Sequence, residues 1–321
     1  MTKGGTHPLG ETRPGRFSGS VRRLGVVCRE HTPDVLRIVD RLKVWAAARD
    51  ISVDVETESG NGPGTTLDLI ENPVDLVVAL GGDGTFLRAS RLAVGTDIPV
   101  VGVNLGRLGF LTAIPDVYLE EGLEKVVSGD AVIEHRFRLH ARIERDGVFT
   151  DEKFYALNDV VVHTTGAARV TPLTLSIGAP ASRVDEDGYD LDGMEEVGSF
   201  AADGVIISTP TGSTAYSMSA GGPIIVPEVE AIVVTPICPH SLAVRPLVVP
   251  AHATLRVGSL DHDGDHQVTV DGQVVYKLDP GQRVIVSRES RPMSLVRLPE
   301  QTFFNTMRRK LNWAARPPER T

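Results

Sequence analysis

Apolar residues in the first third of the chain follow two alternating patterns. Short apolar or β-branched runs, typical of buried strands, occupy residues 24–28, 51–55, 74–80 and 98–103. Between the first two runs, apolar residues recur at helical spacing over residues 33–49, after a Thr32-Pro33 pair that is typical of a helix start. A second helical pattern begins at Phe86. Strands that alternate with helices predict a parallel, doubly wound α/β domain over residues 21–128.

The pattern changes after residue 128, where short alternating or β-branched runs replace the helical periodicity. These runs share a length of four or five residues and lie at 159–163, 173–177, 204–208, 267–270 and 283–286. They predict an all-β, sandwich-like domain over residues 129–290.

The segments outside these two domains carry few apolar residues. Residues 1–20 and 314–321 have little to bury, and we expect both to be disordered. The acidic segment 182–198 is expected to be a mobile excursion between two strands. Residues 291–313 form a tail, in which Phe304, Met307 and Leu311 would share one face of a short helix.

Composition narrows the class of protein. A length of 321 residues is enough for about two domains, and a net charge of −9 argues against a general binder of nucleic acid or of anionic membranes. Two distant cysteines, Cys28 and Cys238, do not form a metal-spaced cluster or a disulfide framework. No apolar run reaches membrane-spanning length, and the N-terminus lacks the apolar core of a signal peptide. A cytoplasmic protein is the expectation.

A glycine-rich turn, Gly81-Gly82-Asp83-Gly84-Thr85, joins the third predicted strand to the second predicted helix. Open α/β sheets bind their ligands at such positions, beyond the carboxyl ends of the strands. Glycine lets the backbone approach a ligand closely, and a helix start offers unpaired N–H groups to an anion. A tight turn with an aspartate cap would give the same pattern, so this motif alone leaves both interpretations open.

Four stretches of the second domain could also carry chemistry. Residues 203–217 run from a buried strand into a loop dense in hydroxyls, which could bind a polar ligand or simply cap a turn. Asn158 and Asp159 could contact a base or a ribose, although such a pair alone is more typical of a turn. His240 lies close to two prolines and is more typical of a structural loop than of a general base. The Asp-Gly-Gln sequence at 271–273 predicts a hairpin turn.

Several nucleotide-binding and hydrolytic motifs are missing from the sequence. The chain has no GxxxxGK[ST], which excludes a P-loop NTPase, and no GxGxxG after a strand, which excludes the ordinary dinucleotide fingerprint. It also lacks the GxSxG elbow and the HExxH zinc motif.

Taken together, these stretches resemble the NAD kinases, the enzymes that phosphorylate NAD to NADP. The matching pieces occur in the family's order and cover roughly residues 24–312; they lie at 81–85, 102–112, 158–159, 203–216, 219–223, 236–246 and 271–273. The first motif is shared with diacylglycerol and sphingosine kinases, whereas the hydroxyl-rich loop and the Pro-His-Ser-Leu stretch are specific to NAD kinases. The resemblance implies an α/β domain, a β-sandwich and a C-terminal tail that returns to the first domain.

The resemblance also implies roles for individual residues. Asp83 would contact the 2′-hydroxyl of the adenosine ribose and serve as general base, with Gly84 lining the same site. The other residues expected to bind NAD are Arg88, Asn158, Asp159, Arg169, Asp203, Thr214, Ala215, Tyr216, Ser217, Met218, Ser219 and Gln273. Two positions depart from the family pattern, because Asp159 stands where many relatives have Glu and Ala201 stands where many bacterial relatives have a basic residue.

The implied reaction transfers the γ-phosphoryl group of ATP, or a phosphoryl group of polyphosphate, to NAD. Mg²⁺ or another divalent cation would enter with ATP, because the sequence shows no carboxylate cluster that clearly forms a metal-binding site. A homodimer or homotetramer is expected from the family. A lipid kinase of the wider superfamily and a catalytically silent NAD-sensing module are the alternative functions. The choice between ATP and polyphosphate, and between NAD and NADH, stays open.

Overall fold

The computed structural model describes residues 15–17, 19–28, 32–56, 67–106, 109–165, 171–178, 193–260 and 265–313. Contacts between Cα atoms divide the chain into two units. The first unit contains the described residues up to 89, residues 96–135 and those from 294 onward, and the second contains residues 90–95 and 136–293.

Residues 1–14, 18 and 314–321 of the predicted disordered ends, and residues 182–192 of the predicted acidic excursion, lie outside the described residues. The described part of the predicted arm 1–20 is instead ordered, because Gly15–Arg16 pairs with Val132 and Ile133 and Phe17 is buried. The end of the predicted excursion, residues 195–198, likewise belongs to a strand.

The first unit is built on a mostly parallel sheet. Its strands are β1 (Gly15–Arg16), β2 (Arg23–Cys28), β3 (Ser52–Val55), β4 (Leu76–Gly81), β5 (Val100–Asn104), β6 (Ile114–Pro115), β7 (Val132–Arg136) and β20 (Met293–Arg297). Their order is β1-β7-β20-β5-β4-β2-β3, with β6 beside β5, and the pairs among β2, β3, β4 and β5 are parallel. The prediction of a parallel doubly wound sheet is confirmed.

The helices of this unit are α1 (Pro33–Ala47), α2 (Asp83–Leu92), α3 (Leu119–Val127) and α5 (Phe303–Leu311). The predicted start of α1 is confirmed, since the side chain of Thr32 accepts a hydrogen bond from the backbone N–H of Val35. The predicted start of α2 is three residues too late, because the glycines of the turn continue directly into the helix. The helix α3, whose nine residues bury Leu119, Leu123 and Val126 on one face, was not predicted.

The C-terminal tail returns to the first sheet, as the resemblance implies. Its strand β20 pairs in parallel with β5, and its helix α5 follows. The predicted apolar face of α5 is only partly right, because Met307 is buried whereas Phe304 is 53% exposed. The strand β7, which the pattern placed in the second domain, pairs in this first sheet.

The second unit consists of two antiparallel sheets of six strands. Their strands are β8 (Leu139–Arg145), β9 (Val148–Ala156), β10 (Asp159–Thr164), β11 (Thr171–Gly178), β12 (Glu195–Ala202), β13 (Gly204–Ser208), β14 (Ala231–Ile237), β15 (Leu247–Pro250), β16 (Thr254–Ser259), β17 (His266–Val270), β18 (Val274–Leu278) and β19 (Arg283–Arg288). One sheet has the order β15-β14-β13-β10-β17-β18 and the other β12-β11-β16-β19-β8-β9. A single apolar cluster draws side chains from both sheets, including Ile143, Val160, Ile207 and Val284, so the predicted sandwich is confirmed. One short helix, α4 (Tyr216–Ser219), follows β13.

A buried ion pair ties α2 to the end of β3 in the first unit. The side chain of Glu56 is fully buried, and Arg88 contacts both of its carboxylate oxygens at 2.9 and 3.1 Å. Such a bidentate pair compensates the cost of burying a carboxylate, but removing either partner leaves a charge that neither water nor protein stabilises.

We expect Arg88→Ala to lower the free energy of unfolding by about 3–5 kcal/mol, because it leaves the Glu56 carboxylate buried without its cation. Urea unfolding measures this loss. Arg37→Ala is the matched control, since Arg37 pairs with Asp34 on an exposed surface and its loss should cost at most about 1 kcal/mol. Equal effects of the two substitutions would contradict a structural role for the Glu56–Arg88 pair.

Candidate functional site

The segment that precedes β10 is held by one carboxylate from the turn after β17. Asp271 accepts hydrogen bonds from three consecutive backbone N–H groups, those of Leu157 at 3.0 Å, Asn158 at 2.8 Å and Asp159 at 3.2 Å. The backbone N–H of Asp271 in turn donates to the carbonyl of Asp159 at 3.0 Å. The backbone conformation of residues 157–159 is therefore fixed from the side of β17.

The same segment is held from the other side by the loop after β13. The hydroxyl of Thr209 donates to the carbonyl of Leu157 at 2.6 Å and accepts the backbone N–H of Gly212 at 3.0 Å. The backbone N–H of Thr209 donates to the carbonyl of Asn158 at 2.9 Å. A Cβ at Gly212 would lie 2.2 Å from that carbonyl oxygen, so only glycine permits this approach. With both N–H and C=O groups used, the side chains of Asn158 and Asp159 remain for a ligand.

A cavity of about 730 Å³ lies over this face of the sheet. Its floor follows the two-residue period of a strand, because Asp159, Val161 and His163 of β10 all line it, and Thr269, which pairs with Val161, lines it from β17. The full lining consists of Asn158, Asp159, Val161, His163, Thr164, Asp203, Ala215, Tyr216, Ile237, Thr269, Asp271 and Gly272. Its volume suits a small-molecule ligand.

Two neighbouring carboxyl groups of the cavity have perturbed acidity. Burial, and secondly the charge of Asp271, raise the pKa of Asp159 to about 7. Burial also raises the pKa of Asp271, but its three accepted N–H hydrogen bonds and the charge of Arg91 oppose that rise. The hydrogen bonds and Arg91 thus favour the ionised form of Asp271, and Asp159 is the carboxyl whose pKa lies near neutral pH.

His163 is oriented by its neighbours. Its Nδ1 lies 3.2 Å from the carbonyl of Thr164, which can only accept, so Nδ1 carries the proton. Its Nε2 then accepts from the amide of Gln267 at 3.0 Å and from the hydroxyl of Thr269 at 3.1 Å. These contacts give the imidazole a fixed ring orientation.

Most of the hydroxyls in the Ser/Thr-rich loop bond to other groups of the protein. Ser208, Thr209, Ser213 and Ser217 are fully buried. The hydroxyl of Ser217, for example, lies 2.9 Å from that of Thr235. Of the two interpretations of this loop, a ligand-binding surface and a capped turn, these contacts favour the capped turn. Burial requires each hydroxyl to find a partner within the protein.

Asp83 occupies the first turn of α2 in the first unit. Its Oδ2 accepts the backbone N–H of Phe110 at 2.9 Å, and its Oδ1 accepts that of Leu111 at 2.9 Å. A Cβ at Gly109 would lie 2.0 Å from Oδ1, so glycine is required there for the carboxylate to reach its donors. Each oxygen keeps a second lone pair, and Asp83 is only half-buried. Gly84 follows it in the same turn and is exposed.

Only some of the other residues predicted from the sequence to bind NAD line the cavity. Asn158, Asp159, Asp203, Ala215 and Tyr216 line the cavity.

Thr214, Ser217, Met218 and Ser219 lie next to Ala215 and Tyr216 in sequence but outside the lining. Gln273 follows Gly272 and accepts a hydrogen bond from Arg91 at 3.0 Å. Arg88 is engaged by Glu56, and Arg169 lies outside the described residues.

Sequence reasoning missed several lining residues. Val161 and His163 could have been found, because they share the strand alternation that carries Asp159. Thr269 lies on β17 and reaches the cavity because it pairs with Val161, which depends on the sheet. For Asp271, the local sequence pattern predicted only a place in a hairpin turn. That hairpin is confirmed by the Val270–Val274 pair, yet the Asp271 side chain also holds a segment 112–114 residues away, which no local pattern signals.

Neither a metal cage nor a membrane segment is found in the part of the chain that the structure describes. Among those residues, no three His, Cys, Asp or Glu side chains are grouped in a way that could bind a metal ion. Among them, too, no helix has the length and apolarity that crossing a membrane needs.

Comparison with known proteins gives a consistent result for both halves of the chain. The sequence model of the ATP-NAD kinase N-terminal domain matches residues 24–131, and that of the ATP-NAD kinase C-terminal domain matches residues 157–298. The NAD kinase of Gemmatimonas aurantiaca is 42% identical over 296 residues, covering 91% of this chain and 96% of that protein. The NAD kinase of Heliobacterium modesticaldum is 40% identical over 292 residues, covering 90% and 98%.

Two solved structures are similar over nearly the whole chain. Yeast NADH kinase in complex with NADH has a TM-score of 0.78 and 28% identity, covering 94% of this chain and 91% of that one. An NAD kinase from Archaeoglobus fulgidus in complex with ATP has a TM-score of 0.68 and 26% identity, covering 90% and 98%.

We expect Thr209→Val to lower the free energy of unfolding by about 1–3 kcal/mol, because it leaves the Leu157 carbonyl and the Gly212 N–H buried without partners. Urea unfolding measures the change. Thr165→Val is the control, since the hydroxyl of Thr165 is exposed and bonds to the carbonyl of Asp265; its effect should stay within about 0.5 kcal/mol. A neutral Thr209→Val would mean that this hydroxyl does not hold the segment.

Proposed function

This chain belongs to the NAD kinase family and is a phosphotransferase, and we propose that it phosphorylates the 2′-hydroxyl of the adenosine ribose of NAD with ATP as donor. The observation that carries this proposal is the cavity of the second unit, whose floor and rim present the side chains of Asn158, Asp159 and Asp203.

The chemistry of that cavity suits a dinucleotide. Carboxylates accept the hydrogens of ribose hydroxyls, and the Asn158 side chain both donates and accepts, as the edge of a base or a carboxamide requires. The exposed ring of Tyr216 offers a flat surface against which a base can stack. The described lining contains carboxyls but no Lys or Arg, so it suits the nucleoside parts of NAD rather than the pyrophosphate.

We propose Asp83 as the residue that orients the 2′-hydroxyl and accepts its proton. A carboxylate is too weak a base to remove that proton beforehand. In a loose phosphoryl-transfer transition state little charge develops early on the nucleophile, so late proton acceptance is sufficient. The two N–H donors at residues 110 and 111 support this role, since they fix the carboxylate before substrate arrives.

A divalent cation, Mg²⁺ in the simplest case, is proposed to enter with ATP and to neutralise charge on the triphosphate. What the protein supplies is the positioning of the two substrates.

The cellular location and the oligomeric state of the enzyme are also proposals. We expect it to act in a reducing cytoplasm, because the sequence has only two cysteines, Cys28 and Cys238, which lie too far apart to suggest a disulfide framework. A homodimer or homotetramer is expected from the family, and sedimentation of the purified protein measures the assembly directly.

One assay tests the proposed activity. The purified protein is incubated with ATP, Mg²⁺ and NAD, with NADH as a second acceptor, polyphosphate as a second donor and diacylglycerol as a control. We expect NADP to accumulate and the lipid to remain unmodified. Binding of NAD without NADP formation with either donor would contradict the proposal.

Asp83→Asn is expected to reduce turnover by about 10²–10⁴-fold and to leave most NAD binding intact, because the amide cannot accept the proton. The amide nitrogen would also face a backbone N–H, so we expect a loss of about 1–3 kcal/mol in stability. Initial rates are therefore measured well below the unfolding temperature of the variant. Near wild-type turnover would rule out Asp83 as the base.

Asp75→Asn serves as the matched control for this substitution. Asp75 also lies in the first unit, and its carboxylate likewise accepts two backbone N–H groups, those of Arg22 at 2.7 Å and Arg23 at 2.9 Å. We expect wild-type turnover from this control. The loss of turnover in Asp83→Asn would then be due to the missing proton acceptor and not to weakened hydrogen bonds between an aspartate and the backbone.

A further inference from the structure

Asp271 lines the cavity, but it is not among the residues that the family resemblance predicts to bind NAD. Its side chain is buried, with the residue only 8% exposed, and both carboxylate oxygens are used by the N–H groups of residues 157–159. Three consecutive N–H groups that converge on one carboxylate form a small anion-binding concavity in the backbone. Here the protein fills that concavity with its own aspartate.

We propose that Asp271 is a positioning residue, which fixes the backbone that carries Asn158 and Asp159 and sets the charge of the Asp159 side chain toward NAD. This inference rests on the proposed function of the cavity as the NAD site. Asp271 acts through Asp159 and is not itself assigned a bond to the substrate.

The charge effect follows from the arrangement of groups around Asp159. Backbone N–H groups that donate to its oxygens favour the ionised form of Asp271, and in that form it opposes a second negative charge nearby. The other titratable or charged groups that line the cavity or face the pair are Asp203, His163, Tyr216 and Arg91. The charge of Arg91 favours the ionised form of Asp271. Burial and Asp271 together bring the pKa of Asp159 to about 7.

The sign of the pH dependence follows from the chemistry of the substrate. Ribose hydroxyls donate hydrogen bonds, and the oxidised nicotinamide ring is a cation, so NAD should bind to the ionised form of Asp159. If only that form binds, raising the pH from 6 to 8 should tighten NAD binding about tenfold, since affinity then follows the ionised fraction of a group with a pKa of about 7. Binding should level off above pH 8.

The dissociation constant of NAD is measured by calorimetry without ATP from pH 5.5 to 8.5, on four proteins. In the wild type we expect the midpoint near pH 7. Asp159→Asn should bind NAD with no such midpoint. Asp271→Asn should move the midpoint down by about one pH unit or more, because the neighbouring negative charge is gone.

Thr209→Val is the structural control for Asp271→Asn. Thr209 holds the same backbone segment from the other side but carries no charge. We expect it to weaken NAD binding while leaving the midpoint where it is in the wild type. A shift in Asp271→Asn that Thr209→Val does not reproduce separates control of charge from loss of structure.

Two outcomes would overturn the proposal. One is a wild-type affinity for NAD that does not vary between pH 6 and 8, and the other is a midpoint that stays in place in Asp271→Asn. Should Asp271→Asn fail to fold, carbon-13 NMR of the aspartate carboxyls in the wild type, assigned with Asp159→Asn, reports the pKa of Asp159 directly. A value near 4 would refute the inference, whereas absence of NADP formation by the wild type would instead refute the proposed function.

Discussion

Three neighbouring backbone N–H groups that end on the carboxylate of Asp271 are the constraint from which the cavity of the second unit follows. They fix residues 157–159 just before the strand whose alternate side chains form the cavity floor. Because this segment cannot rotate, the orientation of Asn158 and Asp159 is set before any ligand binds. Preorganisation of this kind reduces the conformational entropy that binding would otherwise cost.

The hydroxyl-rich loop likewise uses its buried polar groups in hydrogen bonds within the protein. Its buried Ser and Thr side chains bond to carbonyls, N–H groups and one another, since a buried hydroxyl without a partner is destabilising. The loop is thereby stiff enough to support the 157–159 segment and to present Ala215 and Tyr216 at the cavity. Polar residues that look like ligands in the sequence are in large part the framework of the site.

The first unit uses an aspartate in a comparable way. Asp83 joins the start of α2 to the backbone at residues 110 and 111, and Gly109 leaves the space that this contact needs. An aspartate that is already hydrogen-bonded to backbone is held in one rotamer, which is also what a group that accepts a proton from a bound alcohol requires. The structural and the proposed chemical roles of Asp83 are therefore compatible.

The sequence by itself determined the two classes of sheet, most element positions in the described chain and the family, because periodicity and short motifs are local properties. The β-branched run along β10 was enough to predict a strand, but only the structure showed that its alternate side chains form the floor of a cavity. Only the tertiary structure decided that Asp271 holds Asp159, that Thr209 is a clamp and that Arg88 neutralises Glu56. These partners lie 32–114 residues apart in the chain, and a hydrogen bond depends on positions in space, which folding alone brings together.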